Sequence, residues 1–190
     1  MTIPNQLTIL RLALTVPFVA ALSLQFPGSK LLAFGLFVAS SFTDCADGYI
    51  ARKYKQISDF GKLMDPLVDK IMTMSAFVCL VSLGSIPAWA VIVILSREFL
   101  ITGLRMIAAS RGKVLPAERL GKLKTVWQIV TILYLLLLVS VVEEFGGVIP
   151  RTTITRLNAV ALILILLTVV LTLWSGAAYF AKNWDLVRDL

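Results

Sequence analysis

Between Asp44 and Asp69 the chain reads Asp44-x-x-Asp47-Gly48-x-x-Ala51-Arg52, then eight residues, then Gly61-x-x-x-Asp65-x-x-x-Asp69. Carried on helices, the first aspartate pair is spaced i, i+3 and the second i, i+4, so each pair occupies one helical face. A short turn near Tyr54 to Ser58 lets those faces meet and gathers four carboxylates. Like charges in a partly desolvated site repel far more strongly than in water, and bound cations relieve the repulsion. The stretch offers oxygen donors, with no His and Cys45 as its one thiol, so the fitting ions are hard ones, Mg2+ or Mn2+ before Zn2+. His is absent from the whole chain, which leaves carboxylates to carry any proton transfer. Two divalent cations and a phosphoryl-type substrate are the chemistry these residues point to.

Such a cluster needs two consecutive helices that bring their charges to one depth. Of 190 residues, 58% are hydrophobic and 15% charged, and the mean hydropathy is +0.90. The charges fall in short clusters between long apolar runs, the pattern of an all-α integral membrane protein. Six spans are expected, over about 7–24, 31–52, 60–83, 88–109, 125–142 and 157–178. Asp44 and Asp47 then lie in the last turns of the second span, and Asp65 and Asp69 in the first turns of the third. Pro66 falls early in that third helix, where a missing N–H is tolerated. Glu143 and Glu144, with Gly146 and Gly147, read as the loop before the sixth span. The first run contains Arg11 and is followed by no small-residue cleavage site, so it reads as a retained helix and not as a signal peptide.

One membrane domain over residues 1–190 accounts for the length. The net charge of +7 is not concentrated in a basic region interleaved with aromatics, so nucleic acid is not an expected partner. The excess instead sets orientation. Arg52, Lys53, Lys55, Lys62, the cluster over 111–124 and the tail fall on one side, against Lys30, Arg151 and Arg156 with Glu143 and Glu144 on the other. The positive-inside rule then turns the four aspartates and both termini to the cytoplasm. Cys45 and Cys79 lie in or beside apolar runs and suggest no disulfide framework.

The pattern DxxDGxxAR, eight residues, GxxxDxxxD resembles the signature of the CDP-alcohol phosphotransferase family, and every fixed position is filled here. The resemblance extends over nearly the whole chain. It includes Pro4-Asn5-Gln6-Leu7-Thr8-Ile9-Leu10-Arg11, the run from Phe60 to Lys70, Ser96-Arg97-Glu98-Phe99 with Thr102-Gly103-Leu104-Arg105, and Leu120-Gly121-Lys122-Leu123-Lys124-Thr125. Within the family these stretches are most similar to members that use glycerol 3-phosphate. Cys45-Ala46 departs from the bulkier apolar pair expected there and removes no ligand. The resemblance implies transfer of a phosphatidyl group from CDP-diacylglycerol to sn-glycerol 3-phosphate, giving phosphatidylglycerophosphate and CMP. It also implies a homodimer in a bacterial inner membrane. By the same resemblance Asp44, Asp47 and Asp65 hold two divalent cations, and Asp69 is the general base while also touching one of them. Arg52 and Ser58 are implied to contact the nucleotide. Gly48 and Gly61 read equally as helix-packing glycines and as points of close nucleotide approach. Asn5 and Thr8 read as caps of the first helix or as residues near the cytidine.

The acceptor phosphate needs partners of its own. Arg105 inside an apolar span calls for an anion, and Arg97 does too, although Glu98 is next to it. With Lys122 and Lys124, expected where the fifth helix leaves the cytoplasm, they form a candidate glycerol 3-phosphate site. The alternative is a set of interfacial side chains that snorkel. Two other functions keep part of this pattern. A different acceptor, either phosphatidylglycerol as in a cardiolipin synthase or an inositol phosphate, would leave the aspartates unchanged. An ion-coupled transporter would also use intramembrane carboxylates, but here they cluster at one face and no inverted repeat is visible.

Overall fold

The computed structural model describes residues 3–24, 26–54, 59–112 and 119–184, with the side chains of 3–9, 11, 44–54, 59–69 and 119 outside the description. Its described residues form six helices: α1 (Ile3–Ser23), α2 (Ser29–Tyr54), α3 (Asp59–Ser82), α4 (Ala88–Ser110), α5 (Arg119–Phe145) and α6 (Arg151–Lys182). Their ends follow the punctuation in the sequence. Gly84 takes φ 68°, its N–H reaches the Val81 carbonyl, and the Ser85 N–H reaches that of Leu80. This is a Schellman termination, and the left-handed residue it requires is readily adopted by glycine. Pro87 and Pro150 then stand at the N-caps of α4 and α6, where a missing N–H leaves no helical bond unmade.

α3 starts at Asp59, within one residue of the expected 60, so Pro66 lies about two turns inside the helix and not in its first turn. The bounds of α5 and α6 shift further. α5 starts at Arg119, six residues before the expected Thr125, and runs on through Glu143 and Glu144 to Phe145. Lys122 and Lys124 are therefore within a helix, and the two glutamates close α5 instead of forming a loop. α6 starts at Arg151, ahead of the expected Leu157. Lys, Arg and Glu are good helix formers, so a charge that leaves the apolar run does not end the helix.

Helix contacts close a ring in the order α1, α2, α5, α6, α4, α3 and back to α1, with α3 also reaching α5 and α2 reaching α3. Phe18, Phe37, Phe77, Leu80, Ile94, Ile132, Leu135 and Leu136 fill its interior and are almost completely buried. A cavity of about 670 Å3 is lined by Lys30, Gly84, Ser85, Glu143, Ile154 and Asn158 among others. The turns from α1 to α2, α3 to α4 and α5 to α6 thus share one end, which the Lys30–Glu143 ion pair (2.6 Å) also ties together. The end of α2 and the start of α3 lie at the other end. Outward faces are apolar: Val16, Phe42, Ile92, Ile163, Val170 and Trp174 are among the large exposed side chains. α5 and α6 are each long and apolar enough to cross a bilayer. Both are consistent with a membrane protein.

Phe18 of α1 and Phe37 of α2 pack as a tilted pair with ring centroids 5.9 Å apart. Phe37→Ala should destabilise the protein by about 3 kcal/mol, the loss expected for a large buried side chain. Phe42→Ala, on the exposed face of the same helix, should change stability by less than about 0.5 kcal/mol. Denaturant unfolding of the purified protein in detergent would check both, and equal losses would contradict the packing described here.

Candidate active site

α2 and α3 are helical through 44–54 and 59–69, so their backbones hold Asp44 and Asp47 at i, i+3 and Asp65 and Asp69 at i, i+4. Each pair falls within about 60° on its helix. Gly48 and Arg52 also belong to α2, Gly61 to α3, and Asn5 and Thr8 to α1. Asp59, a fifth aspartate in this stretch, opens α3, where an acid suits the positive end of the helix dipole. The side chains of all these residues, and the whole of Ser58, lie outside the described residues. The donor set itself, carboxylates spaced on two consecutive helices, fits hard divalent cations.

Beside this stretch the described side chains form a second charged group, centred on Glu98 of α4. Lys70, which follows Asp69 on α3, places Nζ 3.3 Å from Glu98 Oε2. Lys124 of α5 donates from Nζ to Glu98 Oε1, and Arg97 Nη1 lies 3.3 Å from the same oxygen. Lys70 also donates to Thr102 Oγ1, while the Thr102 hydroxyl donates to the Glu98 main-chain carbonyl at 2.7 Å. Both Glu98 and Lys124 are buried, at 8% and 2% exposure. Among the described side chains, three cations around one carboxylate leave a formal surplus of two positive charges.

Arg97 extends from α4 across α6. Its Nη2 donates to Ser175 Oγ at 3.2 Å, and Ser175 in turn donates to the Thr172 carbonyl. Gly176 leaves the space for this crossing, since a Cβ there would lie 3.1 Å from Arg97 Cγ. The buried polar atoms without a hydrogen-bond partner among the described residues include Arg97 Nε and Nε2 of Gln128, one turn beyond Lys124 on α5.

The four cations proposed for the acceptor phosphate separate into two groups. Arg97 and Lys124 meet at Glu98. Lys122 is exposed, and a two-residue offset puts it on a different face of α5 from Lys124. Arg105 is exposed too, but it follows Glu98 and Thr102 at i+7 and i+3 on the same side of α4. Sequence reasoning treats Glu98 only as the neighbour of Arg97 and gives Lys70 and Thr102 no role. The available signal is a carboxylate in an apolar helix with a hydroxyl residue four positions on and an Arg seven positions on.

A family model described as CDP-alcohol phosphatidyltransferase matches residues 1–184. The chain belongs to this family. It is 36% identical to a Bacillus subtilis protein named CDP-diacylglycerol-glycerol-3-phosphate 3-phosphatidyltransferase, over 98% of this chain and 97% of that one. Proteins of the same name from Rickettsia bellii and Treponema pallidum are 33% and 35% identical, over 94% and 95% of this chain and 93% and 88% of theirs. The phosphatidyltransferase match spans both the helices that carry the aspartates and those that meet at Glu98. In general this family depends on divalent cations, in keeping with the carboxylates of α2 and α3.

The passage of Arg97 over Gly176 gives a direct test. Gly176→Val should lower stability by about 1–3 kcal/mol, the usual effect of overpacking, with Gly176→Ala between it and the wild type. Three equally stable proteins would mean that Arg97 does not cross α6 at this point.

Proposed function

We propose that this chain transfers the phosphatidyl group of CDP-diacylglycerol to sn-glycerol 3-phosphate, giving phosphatidylglycerophosphate and CMP in phospholipid biosynthesis. The observation that carries this reading is the filled aspartate motif, on two consecutive helices, in a chain of the phosphatidyltransferase family whose full-length relatives bear that name. Membership of a transferase family leaves the transporter reading without support.

Asp44, Asp47 and Asp65, with Asp69 touching one ion, are the residues that hold two divalent cations, Mg2+ or Mn2+. When bound, these ions neutralise the diphosphate and stabilise the charge that develops on departing CMP. Asp69 accepts the proton of the acceptor hydroxyl. The freed oxygen bonds to the β-phosphorus, the bond from that phosphorus to the bridging oxygen breaks, and CMP leaves with the electron pair. Arg52 neutralises a nucleotide phosphate, Ser58 contacts the nucleotide, Gly48 and Gly61 let it approach the backbone, and Asn5 and Thr8 lie toward the cytidine. Arg97 and Lys124, with Arg105 on the same side of α4 as Glu98, receive the acceptor phosphate, whereas Lys122 lies on a different face of α5 from Lys124. The six helices are six spans of a bacterial inner membrane, with the termini and aspartates facing the cytoplasm, where both water-soluble substrate and product reside. The working form is a homodimer.

Purified protein given CDP-diacylglycerol and Mg2+ should release CMP with glycerol 3-phosphate and not with phosphatidylglycerol or inositol phosphate. Asp69→Asn should lower kcat by about 10^2- to 10^4-fold, the range for loss of a general base, and chelation by EDTA should abolish turnover. Release with another acceptor would keep the chemistry and replace the substrate. Arg105→Ala should raise the acceptor KM roughly tenfold, a loss of about 1.4 kcal/mol of binding, and leave the CDP-diacylglycerol KM within about twofold. Equal effects on the two would remove Arg105 from the acceptor site.

A further inference from the structure

We propose that Glu98 is the positioning residue of the acceptor-phosphate site: its carboxylate gathers Lys70, Arg97 and Lys124 from three helices and acts on the substrate through Lys124. This rests on the functional reading above and extends it to a residue that contacts cations in place of substrate.

The charge balance is what separates this role from that of an ordinary buried ion pair. A carboxylate that served the fold alone would need one counter-charge, since each further buried ion adds a desolvation penalty. Glu98 has three cationic partners, of which Lys124 is 2% exposed. Among the described side chains, the surplus of two positive charges equals in size the charge of a phosphate monoester dianion. Unmet donors point to the same chemistry. Arg97 Nε and Gln128 Nε2 are buried without acceptors among the described residues, and phosphate oxygens only accept. A cluster that is over-supplied with cations and donors is complementary to an acceptor-only dianion.

Glu98 is what allows those cations to stay together. An ammonium buried without a counter-charge gives up its proton or withdraws toward water, and neighbouring cations repel each other. The carboxylate instead takes Lys124 on Oε1 and Lys70 on Oε2. Lys70 is also fastened by the Thr102 hydroxyl, so the segment of α3 that follows Asp69 is tied to the same point of α4. Glu98 thus fixes where the phosphate-binding charges lie relative to the helix that carries the proposed base.

The test is a double-mutant cycle on the full-length protein in detergent, with KM measured for both substrates. Turnover of the wild type with glycerol 3-phosphate is established first; its absence overturns the functional reading itself and is seen before any variant is compared. With that turnover in hand, Glu98→Gln should raise the acceptor KM about tenfold and Glu98→Asp about threefold, with the CDP-diacylglycerol KM within about twofold. In a Lys124→Met background, which raises the acceptor KM by itself, either Glu98 change should add less than about twofold, because the group it acts through is gone. If Glu98→Gln does not fold, Glu98→Asp supplies the cycle. The proposal is overturned if the effects at Glu98 and Lys124 multiply, or if both KM values rise in step in any folded variant.

Discussion

A carboxylate in an apolar helix has to find its counter-charges before the helix can be buried, and Glu98 imposes that condition on half of this bundle. Without partners it would face a desolvation penalty of several kcal/mol. Its partners come from α3, α4 and α5, helices that follow one another in the chain but not around the ring. For the three to reach one carboxylate, α3 must lie against both α4 and α5. α4 is the ring neighbour of α3, and α3 reaches α5 by a further contact across the ring. The polar group and the topology are therefore one constraint seen twice.

Its consequences extend along α6. Lipid tails are as apolar as leucine, so helices in a bilayer gain little from burying apolar surface against each other and rely on close packing and hydrogen bonds. The α5–α6 pair shows this directly. Thr131 and Thr168 share a hydrogen bond of 2.7 Å, and the Tyr134 hydroxyl donates to the Leu157 carbonyl at 2.9 Å. Further along α6, Ser175 and Gly176 serve α4 by accepting and making room for Arg97. Polar residues thus run through an interior that is otherwise mostly Phe, Leu, Ile, Val and Ala.

Much of this was legible in the sequence, because it is local. Long apolar runs fix helices, and Gly84 with Pro87 fixes a turn whose left-handed glycine and N-cap proline act on adjacent residues only. The aspartate spacing is read off a single helix at a time. What the sequence does not disclose is which cation meets which carboxylate, since Lys70, Glu98 and Lys124 come together only through the order of helices around the ring. Periodicity could have separated Lys122 from Lys124, which stand two residues apart on different faces of α5, had the helix been extended back to Arg119. The expectation of a span beginning at Thr125 hid that difference by treating both lysines as loop charges.

The earlier start of α5 also changes what kind of residue Lys124 is. A lysine at the membrane exit extends its ammonium into water and contributes to orientation, whatever the protein does. Lys124 instead sits more than one turn inside a helix and is buried, with Glu98 as its neighbour. A buried lysine of this kind spends stability that an apolar residue of similar volume would retain. Selection for a fold alone would favour the apolar residue. The presence of Lys124, Lys70 and Arg97 around a single acid is thus better explained by an anion that visits the site than by the needs of the bundle. It also explains why Glu98 is needed: between turnovers, it is the one negative charge among the described side chains that holds all three in place.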